Sequence, residues 1–158
     1  MPVTTNLDTT VLQNWLLTHA TGTGLFAAGA VIGYEPKSRL RAWPAFAGWF
    51  AGLRAVPERS SLDATAALLT WTARIHYDAI GADQTTVERS LMHATDQLFA
   101  EYFGDLVIAG MDAWLDAKGQ VGEPIASETG FLTIDNQANR VATITVGVVI
   151  DNAWAEVE

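Results

Sequence analysis

The 158-residue sequence contains no cysteine, so disulfides, thiolate zinc sites and cysteine nucleophiles are excluded. It also lacks the roughly 18 consecutive apolar residues of a membrane-spanning helix, because Arg54 interrupts the most apolar stretch. The first ten residues have neither the basic region nor the apolar run of a secretory signal. We therefore expect a protein that is made in the cytoplasm and does not enter a membrane.

Basic residues are scarce and unevenly placed. Nine lysines and arginines stand against 18 acidic residues, for a net charge of −9. Residues 1–77 carry a net +2, whereas residues 78–158 carry a net −11. This acidity disfavours a protein that wraps nucleic acid. The asymmetry is typical either of a solvated acidic face or of a molecule with unlike faces that associates head to tail.

Residues that would indicate catalysis or metal binding are also few. The three histidines have no partner at metal-ligand spacing, and there is no GxSxG, Walker or CxxC motif. Arg74, His76 and Asp78 alternate along one predicted strand and therefore share a face. We interpret them as a polar strip, facing solvent or a subunit, rather than as a catalytic group. We expect no enzyme activity, cofactor or metal.

The hydrophobic periodicity predicts one domain over residues 1–158, in the order helix, two strands, long helix, two strands. This order indicates an α+β fold with an antiparallel or mixed sheet of four to five strands and helices packed on one face. The strand over 69–78 has one apolar face, which we expect to face the core, and one polar face, which we expect to be exposed to solvent. The predicted elements are a helix over 7–16 capped by Asn6, strands over 43–53 and 69–78, a helix over 85–103 with a Thr85/Glu88 capping box, and a hairpin of 131–135 and 141–150.

Four segments together carry a resemblance to a known family. They are WPAFAGWFAG (43–52), LLTWTARIHYDA (68–79), the helix beginning at Thr85, and GFLTIDNQANRVATITVGVVI (130–150). In order and pattern the chain resembles, from about Leu7 to Ile150, the tail terminator proteins of long-tailed bacteriophages, of the lambda tail terminator type. The acidic stretch 105–128 departs from that pattern.

The resemblance implies a non-enzymatic structural protein of the virion. Its copies would form a homo-oligomeric ring, usually a hexamer, at the head-proximal end of the tail. The ring would cap the tail tube, stop its polymerisation and join it to the head–tail connector protein, while DNA passes through the channel without specific binding. Two neighbouring alternatives remain open, a head–tail connector and a tail tube protein. A small cytosolic ligand-binding or enzymatic α+β domain is the alternative from another class.

The segment over 43–53 has two apolar faces and follows a basic cluster. We expect one face to pack under the helices and the other to meet a neighbouring subunit, with the basic cluster facing acids of that subunit. The candidate interface residues are Lys37, Arg39, Arg41, Trp43, Trp49, Arg54, Arg74, His76 and Asp78.

Reversing the charge of Arg39 and Arg41 together to Glu is expected to weaken assembly without unfolding the monomer, because the cluster would then repel the acids of its neighbour. Sedimentation at several salt concentrations checks this, since exposed ion pairs weaken with ionic strength. Unchanged assembly at moderate salt would remove the cluster from the interface.

Overall fold

A computed structural model of the chain, which describes residues 2–27 and 29–157, contains two helices and one eight-stranded sheet. The α+β class is thus confirmed. The short 3₁₀ helix Pro57–Arg59 joins the third and fourth strands. The elements are β1 Val3–Thr5, α1 Thr9–Gly22, β2 Val31–Ile32, β3 Ala45–Val56, β4 Ala64–Asp78, α2 Gln84–Gly104, β5 Val107–Ile108, β6 Ala113–Leu115, β7 Ala126–Ile134 and β8 Gln137–Glu156.

Strand β8 is the centre of the sheet. On one side it pairs antiparallel with β4 over most of its length. On the other side it pairs in succession with β7, β6 and β1, all antiparallel. Strand β3 pairs antiparallel with the outer side of β4, and the two-residue β2 adds parallel to the start of β3. The sheet is therefore mixed, as expected, but the predicted four to five strands correspond only to its longer members.

Three of the four short strands were not anticipated, and the fourth, β2, lies within residues 25–33, where the sequence allows a short irregular strand. Strands β1, β2, β5 and β6 have two or three residues each, too few for an alternating pattern to be recognised. Their existence is set by pairing with longer strands. They also change the element order, because β1 precedes the first helix and β5 and β6 occupy the region 105–114 that has no clear periodicity.

The turn between β7 and β8 explains the length of this hairpin. Asp135 and Asn136 both have positive φ, at 48° and 60°, which is the geometry of a two-residue turn that matches strand twist. Ile134 consequently pairs with Gln137, and the ladder continues without interruption to Ala126 opposite Thr145. The tight turn lets β8 begin at residue 137 rather than 141, and at the other end the ladder extends β7 back to residue 126 rather than 131.

Both helices begin at an aspartate rather than at the predicted caps. The carboxylate of Asp8 accepts from the Val11 amide at 3.0 Å, and that of Asp83 accepts from the Thr86 amide at 2.9 Å. Asn6 instead donates to the Asn152 carbonyl at 2.7 Å. Within the residues that the structure describes, neither helix has a stretch long and apolar enough to cross a bilayer.

The two helices pack on the same face of the sheet, as predicted. Trp71 of β4 is fully buried there, and its indole N–H donates to the Gln13 side chain of α1 at 3.1 Å. The hydroxyl of Tyr102 on α2 donates to the Leu16 carbonyl of α1 at 3.2 Å, which ties the helices together. Other buried members of this core include Leu12, Phe46, Ile75, Leu91, Leu98, Ile144, Val146 and Val148.

The opposite face of the sheet is covered at both ends, so the prediction of a wet face is wrong there. At one end Asp116 is buried, and its carboxylate accepts from the amides of Gln120, Val121 and Gly122. These bonds fold the loop onto a second apolar cluster that contains Val56, Ala66, Leu68 and Val149. At the other end the segment 33–44 crosses the strands.

Gly48 and Gly52 of β3 form a matched pair for testing the packing. A Cβ on Gly48 would overlap the buried Trp71 indole, whereas one on Gly52 would meet nothing within 4 Å. We expect Gly48→Ala to lower the free energy of unfolding by about 1–3 kcal/mol. Gly52→Ala should leave it nearly unchanged. Urea unfolding of both variants checks the difference, and equal effects would contradict it.

Candidate subunit interface

The predicted interface residues fall into two groups. Lys37, Arg39, Arg41 and Trp43 lie on the segment 33–44 between β2 and β3. The other group lies on β3 and β4, and all its members share the face opposite the helices. It comprises Trp49, Arg54, Arg74, His76 and Asp78.

The segment 33–44 is held at its far end by the β7–β8 hairpin. The Leu40 amide donates to the Gln137 side chain at 2.9 Å, and the Gln137 amide group returns a bond to the Leu40 carbonyl at 3.1 Å. Arg39 Nε donates to the Asp135 carbonyl at 3.2 Å. The segment therefore reaches from the β3 side of the sheet to the end of β8. Arg39 is an internal anchor of the segment as well as an exposed cation.

Arg74 is the centre of a polar cluster on this face. Its Nε donates to the Thr143 hydroxyl at 3.2 Å, and its guanidinium carbon lies 5.0 Å from the centroid of the Trp49 ring. Glu35, from the segment 33–44, lies 3.7 Å from Arg74 Nη1. Because the Arg74 side chain is only 15% exposed, these neighbours satisfy most of its charge within the chain. Arg74 therefore anchors the segment 33–44 to the sheet and does not present a free charge to a partner.

His76 does not lie on an exposed strip, which corrects the expectation from alternation. Its side chain is fully buried beside Ala45 and Val141, at the end of the sheet that the segment 33–44 crosses. Neither ring nitrogen has a hydrogen-bond partner in the described residues. Burial, with a smaller contribution from Arg74, lowers the pKa of His76 from 6.5 to about 4. The imidazole is therefore neutral at pH 7.

Asp78 is used locally. Its two carboxylate oxygens accept from the amides of Ile80 and Gly81, both at 3.1 Å, and so hold the turn that follows β4. Although Asp78 shares the sheet face of Arg74 and His76, it forms no hydrogen bond or ion pair with either of them within the described residues. The predicted polar strip is thus one structural arginine cluster, one buried histidine and one turn aspartate.

Among the candidate interface residues, Lys37, Arg41 and Arg54 are exposed and bond to no carboxylate or hairpin carbonyl of the described residues. Arg54 lies in the run 51–55 of β3, in which every residue is exposed. Strand β2 pairs with only Phe46 and Ala47, so the outer side of β3 beyond them is an open sheet edge.

A second open edge lies on β7, and sequence reasoning missed it. Strand β7 pairs only with β8, and most of its residues are exposed. It includes Glu128, which pairs with Thr143 and so lies on the same face as Arg54. The prediction placed Glu128 in an acidic stretch outside the sheet. Extending the alternation back from the turn at Asp135 and Asn136 would have included it.

One cleft borders the basic segment. It has a volume of about 460 Å³ and is lined by Tyr34, Pro36, Arg39, Leu40, Arg41 and Ala45, among others. Among the described residues that line the cleft, no carboxylate accompanies its two arginines. Among residues 2–27 and 29–157, no group of three histidine, aspartate or glutamate residues is placed to hold a metal ion.

Comparison with known proteins adds no family to these observations. No protein-family model and no curated protein matches the sequence.

The burial of His76 predicts a pH dependence of stability. Because its pKa is lower in the folded than in the unfolded chain, the unfolded chain binds more protons between pH 6.5 and about 4, and stability falls as the pH falls through that range. Once His76 is fully protonated, the loss in the free energy of unfolding is about 3 kcal/mol. Urea unfolding at pH 7 and pH 4.5 should show much less loss for His76→Leu than for the unaltered protein.

His93, which is exposed on α2, supplies the control. His93→Leu should retain the acid-dependent loss. An equal loss in all three proteins would contradict the assignment. If His76→Leu does not fold, the imidazole signals of the unaltered protein decide by NMR, since those of His76 should not titrate between pH 7 and pH 5.

Proposed function

We propose that this chain is a structural protein that assembles head to tail into a closed ring, and that the ring acts as a phage tail terminator. The observation that carries the proposal is the pair of open sheet edges, β3 and β7, on opposite sides of one rigid sheet. Two different exposed edges favour a heterologous contact, in which one copy's first edge meets the next copy's second edge. Such contacts close into a ring when the rotation between copies permits it.

The charge distribution supports the same arrangement. Strand β3 and the segment 33–44 belong to the half of the chain with net charge +2, and β7 belongs to the half with net charge −11. Arg59, Arg74 and Arg140 are already paired with acids of the same chain. Of the candidate interface cations, Lys37, Arg41 and Arg54 are therefore available to a neighbour, and unlike charges favour its correct orientation.

The tail terminator role follows the resemblance described above. In this role the ring, as a hexamer at the head-proximal end of the tail, binds the end of the tail tube and a head–tail connector protein, and an acidic molecule lets DNA pass without holding it. A head–tail connector or a tail tube protein would use the same two edges and differs in what it binds.

A ligand-binding domain is the second candidate, and the cleft beside the segment 33–44 is the observation that favours it. Arg39 and Arg41 together with Tyr34 offer cationic and aromatic contacts to a small anion.

Negative-stain electron microscopy of the purified protein, alone and with tail tubes, tests the proposal. We expect closed rings with a central hole, bound at tube ends. Long filaments would transfer the assignment to a tube protein. Small particles that persist after tubes are added would contradict a ring and favour the ligand-binding candidate.

A further inference from the structure

The geometry points to a specific contact between copies: the outer edge of β3 in one copy pairs antiparallel with the outer edge of β7 in the next, with Arg54 facing Glu128. This inference deepens the proposed function and rests on the head-to-tail assembly proposed there. Its partner is a second copy of this chain.

The two edges are free to pair. Outside the β3–β4 ladder, residues 49–55 make no hydrogen bond to another backbone group of the described chain, and residues 126–134 make none outside the β7–β8 ladder. Side chains donate to two carbonyls in these ranges: Arg54 to Ala55 at 3.4 Å, and Asn139 to Leu132 at 3.3 Å. Exposed edges of this length are normally blocked by proline, charged residues, a bulge or a covering loop. Strand β3 contains no proline or lysine, and the exposure of all residues from 51 to 55 shows that no described segment covers them. It does carry a bulge between Phe50 and Gly52 and the charge of Arg54. The uncovered edge therefore favours a partner that complements Arg54.

The strand directions fit an antiparallel contact. Strands β3, β4, β8 and β7 are each antiparallel to the one before, so β3 and β7 run in opposite directions. Copies that all point the same way around a ring would therefore bring β3 and β7 together as antiparallel neighbours. No copy has to be inverted, which is the condition for a head-to-tail assembly.

The side chains on the two edges also match face by face. Leu53 pairs with Leu69 and lies on the helix-covered face, where Phe131 also lies because it pairs with Arg140. Leu53 is 46% exposed and Phe131 is 71% exposed, so both are apolar side chains without full cover. Arg54 and Glu128 lie on the opposite face. A continuous sheet would thus place apolar beside apolar and cation beside anion.

Pairing of identical edges is disfavoured by charge. A two-fold contact between two β3 strands would bring the Arg54 side chains towards each other, and one between two β7 strands would do the same for Glu128. The β3–β7 contact avoids both repulsions.

The free parts of the edges are offset along the strands. Through the ladders, Arg54 lies level with Val149 of β8, whereas Glu128 lies level with Thr143, six residues away. At about 3.3 Å per residue this is roughly 20 Å. Joined copies would therefore be staggered, as strands are when a sheet tilts and closes on itself. The same stagger gives a helical filament when closure fails.

A charge exchange between the two strands tests the contact. Arg54→Glu alone and Glu128→Arg alone should each raise the concentration needed for assembly by roughly tenfold. An equal mixture of the two variants should restore assembly, because each variant's altered edge then meets the complementary edge of the other. Arg89→Glu and Asp96→Lys, which alter exposed residues of α2, are the matched controls and should leave assembly unchanged. Analytical ultracentrifugation measures all five samples.

Hydrogen exchange provides an independent readout of the backbone pairing. Amides within 49–55 and 126–134 should become protected when the unaltered protein assembles, and those of α2 should not change. Filaments with this protection and with charge-exchange rescue would support the edge contact while contradicting the terminator ring. Rings that form regardless of both charges, and without new protection, would overturn the contact and leave the ring. A protein that stays monomeric at its solubility limit would overturn the contact.

Discussion

The antiparallel ladder between β4 and β8 is the constraint on which the rest of the structure depends. Strand β8 has 20 residues, so one side of it can hold a full-length partner while the other side holds three shorter strands in succession. The last of these, β1, brings the beginning of the chain against its end. Both helices pack against the apolar face that β4 and β8 share. Removing this ladder would leave neither a core face nor a site for the short strands.

The two faces of the sheet are closed by different means. The helix-covered face is sealed by apolar packing around Trp71, which needs only size and shape. The other face is sealed by polar bonds: the carboxylate of Asp116 folds one loop, and Arg74, Gln137 and Asp135 hold the segment 33–44. Charges that sequence alone would assign to a surface are thereby used within the chain, and the candidate interface cations left for a partner lie on the segment 33–44 and on the edge strand β3.

This division connects the fold to the proposed assembly. Because helices cover one face of the sheet and loops cover both ends of the other, the places left for it to extend are its edges, and these two edges differ in character. Its edge strands come from halves of the chain that differ in net charge, +2 against −11. Growth between unlike edges is directional, and the stagger between them decides whether it closes or continues. The same edge contact could thus build either a closed ring, as in a tail terminator, or a tube that keeps growing, and the stagger would decide between them.

The sequence by itself determined the long elements and the class. Alternation located β4 and β8, and helical periodicity located α2, because burial of one face imposes a period that local chain geometry reveals. It did not determine the short strands or the positions of His76 and Glu128. Those depend on contacts between distant residues, such as the bond from Leu40 to Gln137, 97 positions apart, and on a turn that extends β7. A polar residue at an alternating position has its face assigned by local geometry, but whether that face is covered is decided only when another segment folds over it.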